Sequence, residues 1–265
     1  MNKEKHWTEE LFIEKASLFG ATLEEKLDST DEEIEGLLKI FSVHNVPDGG
    51  AILDLACGIG RHSIHLAEKG YEVTGVDISP TYIERAEELA SEKNVSERVE
   101  FIVGDMRQVE ELLKGREGSF DAVVNLFTSM GFWDDETDRQ IFRQARGLTK
   151  QGGIFIIHTV NRDFLVRHFN ARDFTYGEGG RVVIADRRLD LDSSRMFNVW
   201  RYYEQRGDDL DHLSTFEIDH RVYSLHELKS QIEDSGWTYH SSFGGYSLQP
   251  LTTDTFGLIV IGKNE

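Results

Sequence analysis

From residue 51 onward, short apolar runs alternate with longer amphipathic stretches. Residues 51–55 (AILDL), 72–77 (EVTGVD), 99–103 (VEFIV), 120–127 (FDAVVNLF) and 153–160 (GIFIIHTV) read as strands. Between them lie helical patterns. One runs from the glycines at 58 and 60 to Gly70, and an Asp-started one covers about 135–148. A third begins at Ser79-Pro80, with Pro80 suited to the first helical position and Ile83, Ala86, Leu89 and Ala90 turned inward. Apolar runs of five to eight residues separated by such helices predict βαβ units and a parallel sheet covered on both faces.

The ends of the chain follow other rules. Before residue 50 the pattern is helical: Thr30 and Glu33 form a capping-box pair, and Ile34, Leu37, Leu38 and Phe41 share one face. After residue 178, residues 181–192, 194–205 and 212–224 read as three longer strands joined by polar turns, an antiparallel meander. Ser224 and Glu227 then cap a helix that stops at Gly236, and two strands near 237–243 and 255–262 close the chain. The expected fold class is α/β with an inserted antiparallel segment. Residues 1–48 form a helical cover, 49–163 and 222–265 the α/β domain, and 164–221 the insertion.

Composition narrows the field. With 29 Lys and Arg against 48 Asp and Glu, the net charge of −19 argues against a nucleic-acid or anionic-membrane binder. No run reaches a membrane span, the first ten residues do not open a secretory signal, and the lone Cys57 fits a reducing cytoplasm with no cysteine-rich zinc site; no metal is expected. Residues 161–206 nevertheless hold nine arginines against seven acids and no lysine.

The chemistry concentrates in the loop Leu53-Asp54-Leu55-Ala56-Cys57-Gly58-Ile59-Gly60-Arg61-His62. A Gly-x-Gly at a strand-to-helix turn lets a ligand approach the backbone and the unpaired N–H groups of a helix start. By itself this is weak evidence. Asp77, nineteen residues after Gly58 at the end of the second strand, suits the two hydroxyls of a ribose, and Asp105 ends the third strand where an exocyclic adenine amine would lie. A nicotinamide-binding fingerprint would need glycine at 63, which is Ser63. A cofactor without phosphates fits better, and three strand-end acids suit one bearing ammonium, ribose and adenine: S-adenosylmethionine.

The segments LDLACGIGRH, GVDIS, VGDMRQV and NLFTSMGFW resemble the successive motifs of class I S-adenosylmethionine-dependent methyltransferases, over about residues 50–160. More narrowly, they are similar to nucleotide-linked aminosugar N-methyltransferases, and the lid placement resembles glycine N-methyltransferase. The segment His158-Thr159-Val160-Asn161-Arg162 departs from the aminosugar pattern. The resemblance implies a Rossmann-like sheet of order 3-2-1-4-5-7-6 with residues 164–221 as a lid over the acceptor site. It places Asp54 and the backbone of Ala56, Cys57, Gly58 and Gly60 at the methionine moiety. Asp77 would take the ribose, Ile78 the adenine face, Asp105 and Met106 the adenine amine, and Asn125 to Thr128 the reacting methyl.

A small-molecule acceptor, an amine before an oxygen, is the expected substrate. The prolines at 47, 80 and 250 leave no Asn/Asp-Pro-Pro-aromatic motif on the fourth strand, and the Lys-Asp-Lys-Glu tetrad of ribose methyltransferases is not apparent. Candidate acceptor residues are Phe127, Trp133, Asn161, Trp200, Arg201 and His220, with Tyr176, Tyr203 and Arg221 behind them and His158 as the candidate base. Arginine suits bidentate anion binding, so Arg187, Arg201 and Arg221 raise the option of an anionic acceptor. An RNA or protein methyltransferase and a non-catalytic cofactor-binding subunit are the competing readings.

Overall fold

A computed structural model describes residues 5–265; the first four residues of the expected N-terminal cover lie outside it. The cover contains α1 (Trp7–Glu9), α2 (Ala16–Glu24) and α3 (Thr30–Val43). The α/β body follows as β1 (Ala51–Leu55), α4 (Arg61–Glu68), β2 (Glu72–Asp77), α5 (Pro80–Glu92), β3 (Val99–Val103), α6 (Val109–Leu112), β4 (Phe120–Asn125), α7 (Asp135–Leu148) and β5 (Thr149–Val160). After α8 (Arg162–Arg167) come β6 (Arg172–Tyr176), β7 (Arg181–Asp190), β8 (Arg195–Arg206) and β9 (Asp209–Arg221). The body resumes with α9 (Leu225–Asp234), β10 (Thr238–Phe243) and β11 (Gly257–Lys263).

One seven-stranded sheet has the order β3-β2-β1-β4-β5-β11-β10, with β11 antiparallel to both neighbours. Successive strand residues point to opposite faces, and both faces are buried. Ile52, Val124, Ile156 and Ile259 pack with α3, α4 and α5, while Leu53, Val123, Phe155 and Val260 pack with α7 and α9. The Ser224–Glu227 capping box is present at the start of α9.

Two local expectations are corrected. The inserted sheet has four strands, not three, because β6 pairs antiparallel with β7. This edge strand leaves Phe174 and Tyr176 largely exposed, so no alternation of buried and polar positions marks it. There is no capping box at Thr30. Its hydroxyl donates to the Lys26 carbonyl and accepts from Arg61, while Glu33 turns its carboxylate to Arg61 and His62.

Candidate active site

A cavity of about 570 Å³ opens where the carboxyl ends of β1, β2 and β5 meet the N-terminal cover and the four-stranded sheet. Its size is ordinary for a small-molecule site, and its position is where ligands bind in open α/β sheets. Asp54, Ala56, Cys57, Gly58, Asp77, Ile78, Asp105 and Met106 line one part of it.

The glycine loop is built for close approach. Ala56, Gly58 and Gly60 all have left-handed backbones, with φ of 59°, 58° and 75°. Gly60 is required by packing: a Cβ there would stand 2.6 Å from the Phe101 ring. It supports the loop from behind and does not line the cavity. The Cys57 thiol is buried and its ionisation pushed well up by burial, so the loop uses this residue's backbone, whose N–H bonds the Val76 carbonyl at 3.1 Å.

Each strand-end acid has a different setting. Asp54 is buried, accepts from Ser63 Oγ at 2.7 Å, and is pushed up to about 7 by burial. Asp77 accepts backbone N–H groups from Gly58 and Ser79, both at 2.9 Å, and burial lifts it to about 6. Asp105 is engaged by Arg107 through the backbone N–H (2.9 Å), Nε (3.1 and 2.9 Å) and Nη2 (2.5 Å). These three N–H donors, one of them shared between both oxygens, occupy most of the carboxylate's lone pairs and leave room for about one more donor, such as an adenine amine.

The comparisons agree with this geometry. Residues 52–153 match the family described as methyltransferase domain. A glycine/sarcosine N-methyltransferase of Aphanothece halophytica is 30% identical over 211 residues, which cover 76% of each chain. The chain belongs to the class I S-adenosylmethionine-dependent methyltransferases. A putative methyltransferase of Geobacillus sp. (strain WCH70) is 32% identical over 71% of this chain and 73% of its own length. A crystal structure of a methyltransferase from Clostridium acetobutylicum shares the fold, with a TM-score of 0.75 at 16% identity, covering 94% of this chain and 97% of that one.

The cofactor of this methyltransferase is S-adenosylmethionine, and the buried acids fit it. Asp54 and Asp77 stand in a low-dielectric cavity with their acidity weakened, a setting relieved by a ligand that brings an ammonium and a sulfonium.

On the acceptor side, His158, Phe127, Trp133, Trp200 and His220 line the same cavity. His158 and His220 are both brought down to about 4, chiefly by burial. Phe127 and Thr128 carry left-handed φ of 58° and 64° where β4 ends, a strained non-glycine pair that turns Phe127 toward Arg61. Five of the expected residues lie elsewhere. Asn125 donates to the carbonyls of Leu55 and Ser129 beneath the cavity, and Asn161 caps α8 and donates to the carbonyls of Thr252 and Thr255. Arg201 pairs with Asp186, away from the cavity, and Tyr176 and Tyr203 do not line it either.

The arginine stretch also resolves. None of its nine arginines lines the cavity. Arg187 pairs with Asp173 at 3.3 Å, Arg201 and Arg172 share Asp186, and Arg195 pairs with Asp219 at 2.6 Å. Arg221 lies between Asp135 and Glu227 at 3.1 and 3.0 Å. These arginines are therefore not placed to hold an anionic acceptor in this cavity.

Several lining residues were not among the sequence candidates. Glu33 reaches in from α3 and meets His62 Nε2 at 2.6 Å and Arg61 at 2.8 Å, which together hold its carboxyl down at about 2 despite burial. Tyr246 arrives from the β10–β11 loop, and Trp7, Phe12 and Phe19 from the cover. Trp7 donates its indole N–H to the Asp219 carbonyl of β9 at 3.0 Å, which ties the N-terminal segment to the four-stranded sheet. Only a pairing of Glu33 with the Arg-His dipeptide after the glycine loop could have signalled any of this.

Proposed function

We propose that this methyltransferase transfers the methyl group of S-adenosylmethionine to the nitrogen of a small amine enclosed by a cover drawn from residues 5–48 and a lid drawn from residues 164–221. The observation that carries this reading is the charge of the cavity wall. Glu33, Asp54 and Asp77 face it against the single guanidinium of Arg61, with Asp105 paired to Arg107, among the aromatic rings of Trp7, Phe12, Phe127 and Trp200. An acidic, aromatic enclosure suits a neutral amine whose nitrogen takes on the positive charge of the sulfonium as the methyl passes to it. The Aphanothece relative, a glycine/sarcosine N-methyltransferase, supports an amine acceptor.

When bound, the cofactor supplies an electrophilic methyl on a cationic sulfonium. Asp54 and the Ala56–Gly58 backbone would hold its amino-acid end, Asp77 its ribose, and Ile78 and Met106 its adenine. His158 would accept an N–H of the acceptor, directing the nitrogen lone pair toward the methyl. The aromatic walls exclude water, so orientation provides much of the rate. Held near 4, His158 is too weak a base to take the proton of an alcohol, which favours nitrogen over oxygen.

The test is turnover. The protein is incubated with S-adenosylmethionine and a panel of small amines, amino acids and hydroxylated analogues, and S-adenosylhomocysteine is quantified. Turnover confined to hydroxyl acceptors would overturn the amine reading.

A further inference from the structure

We propose that Tyr246 is a positioning residue for His158. Its phenol oxygen accepts the Nδ1–H of the imidazole, fixes the ring, and leaves the Nε2 lone pair open to the acceptor. This rests on the amine reading above, in which His158 accepts an N–H. The Tyr246 oxygen lies 3.1 Å from Nδ1, and the two rings are 4.6 Å apart at 58°. Both side chains line the cavity. Which nitrogen of a neutral histidine carries the proton is set by the partner of the other nitrogen.

Two glycines make room for this pair. Gly36 sits inside α3, where glycine costs about 1 kcal/mol relative to alanine and so needs a packing reason. That reason is Tyr246: a Cβ at 36 would stand 2.3 Å from the Tyr246 carbonyl oxygen and 2.8 Å from its Cβ. The β10–β11 loop therefore rests its backbone directly on α3. Gly257, at the start of β11, is the second. A Cβ there would stand 3.1 Å from His158 Nε2, so glycine keeps that flank of the ring clear. The main chain of His158 is fixed too, since its carbonyl accepts the Thr128 N–H at 3.0 Å.

The charged groups bearing on the imidazole come from two elements. Burial opposes its protonation most, Arg61 of α4 adds to that, and together they outweigh Glu33 of α3, which favours it. His62 of α4 is itself neutral near this site. Among the described residues His158 is the one hydrogen-bond partner of the Tyr246 hydroxyl, so in this arrangement the phenol's own proton is left for a ligand in the cavity that it lines. The N-terminal cover thus does more than close the cavity: through Gly36 it sets the place of the phenol.

The experiment uses long-range ¹H–¹⁵N spectra of the full chain carrying ¹⁵N-labelled histidine. The His158 signals are assigned by their loss in His158→Gln. In the wild type, His158 is expected as the Nδ1–H tautomer, and Tyr246→Phe should convert it to a mixture or to the Nε2–H form. Gly36→Ala, which displaces Tyr246 from a distance, should do the same if the phenylalanine variant does not fold. An Nε2–H tautomer in the wild type, or unchanged signals in the variants, overturns the proposal. With an amine substrate in hand, Tyr246→Phe should lower kcat about five- to tenfold while leaving cofactor affinity unchanged. Failure of every amine in the panel would sink the amine reading while the spectra still report on Tyr246.

Discussion

The backbone N–H of Gly58 donates to Oδ2 of Asp77 at 2.9 Å, so the glycine loop and the end of β2 form one unit. Oδ1 accepts from Ser79 N at the same distance. Asp77 is thus a structural brace as well as the proposed ribose ligand. Asp77→Ala leaves two N–H groups without their acceptor, at a cost of about 1–3 kcal/mol each where water cannot reach them. Calorimetry is expected to show more than a tenfold loss of S-adenosylmethionine affinity, a lowered melting temperature, and no binding of NADH by either protein. Asp77→Asn, which keeps one acceptor oxygen, should recover stability more than affinity. Wild-type affinity in the alanine variant would remove Asp77 from the cofactor site.

Asp54 should report cofactor binding through protons. Burial lifts its pKa to about 7, so a substantial fraction is protonated in the free protein near neutrality. A cationic ligand stabilises the carboxylate and drives the proton out. Titration at pH 7 in two buffers of different ionisation enthalpy is expected to show release of about half a proton per cofactor bound. Asp54→Asn should abolish most of that buffer dependence. Equal heats in both buffers for the wild type would count against Asp54 as the ammonium partner.

Two opposed sets of buried groups shape stability in acid. His62, His158 and His220 are held neutral with pKa values of about 4, whereas an unfolded chain protonates near 6.5. The unfolded state takes up those protons first, so this set loses stability as pH falls from about 6.5 to 4. Asp54, Asp77 and Asp138 are raised by burial, to about 7, 6 and 6. Their contribution runs the other way: it is present at low pH and lost as pH rises through those values. These two sets largely cancel, but His44, held at about 4, and Glu33, held at about 2, add to the first, so the melting temperature of the wild type is expected to fall modestly between pH 6 and 4.5. Asp138, bonded to the Tyr223 hydroxyl at 2.7 Å, is the simplest member to remove. Asp138→Asn should make the protein lose stability on acidification by about 1 kcal/mol per pH unit more than the wild type. Parallel pH profiles would contradict this balance.

Arg201 should prove dispensable for cofactor binding. It shares Asp186 with the exposed Arg172 and lies outside the cavity. Exposed pairs of this kind contribute about 0–1 kcal/mol. Arg201→Gln is expected to bind S-adenosylmethionine as the wild type does and to melt within a few degrees of it. A large loss of affinity would return this arginine to the site.

The parallel half of the fold was legible because both its faces are buried, which writes largely apolar runs into β1, β4 and β5. β6 was not, because an exposed edge strand imposes no pattern on Phe174 and Tyr176. The site divides in the same way. Asp54, Asp77 and the glycines follow from local spacing around one turn. Glu33 and Tyr246 come from segments distant in the chain, and their arrival depends on how α3 and the β10–β11 loop pack. The arginines show a third case: charge composition located them, but only strand register reveals that Asp186 is shared by Arg172 and Arg201 and is unavailable to orient either toward a ligand.

The join between the α/β body and the four-stranded sheet should be sensitive at Gly131. This residue follows the strained Phe127–Thr128 turn, precedes the cavity-lining Phe132 and Trp133, and has φ of 75°. Its carbonyl accepts the Arg221 N–H at 2.7 Å, where β9 leaves the lid. A Cβ at this position would stand 2.4 Å from the Arg221 carbonyl oxygen, a backbone atom that cannot swing aside. Gly131→Ala therefore combines left-handed strain with displacement of the β9 end. The expected loss is at least about 2 kcal/mol, a fall of several degrees in melting temperature. Because Trp133 lies two residues on, its fluorescence should shift as well, and cofactor binding should weaken less than in Asp77→Ala. An alanine variant with wild-type melting temperature and emission would show that the Gly131–Arg221 contact does not anchor the lid.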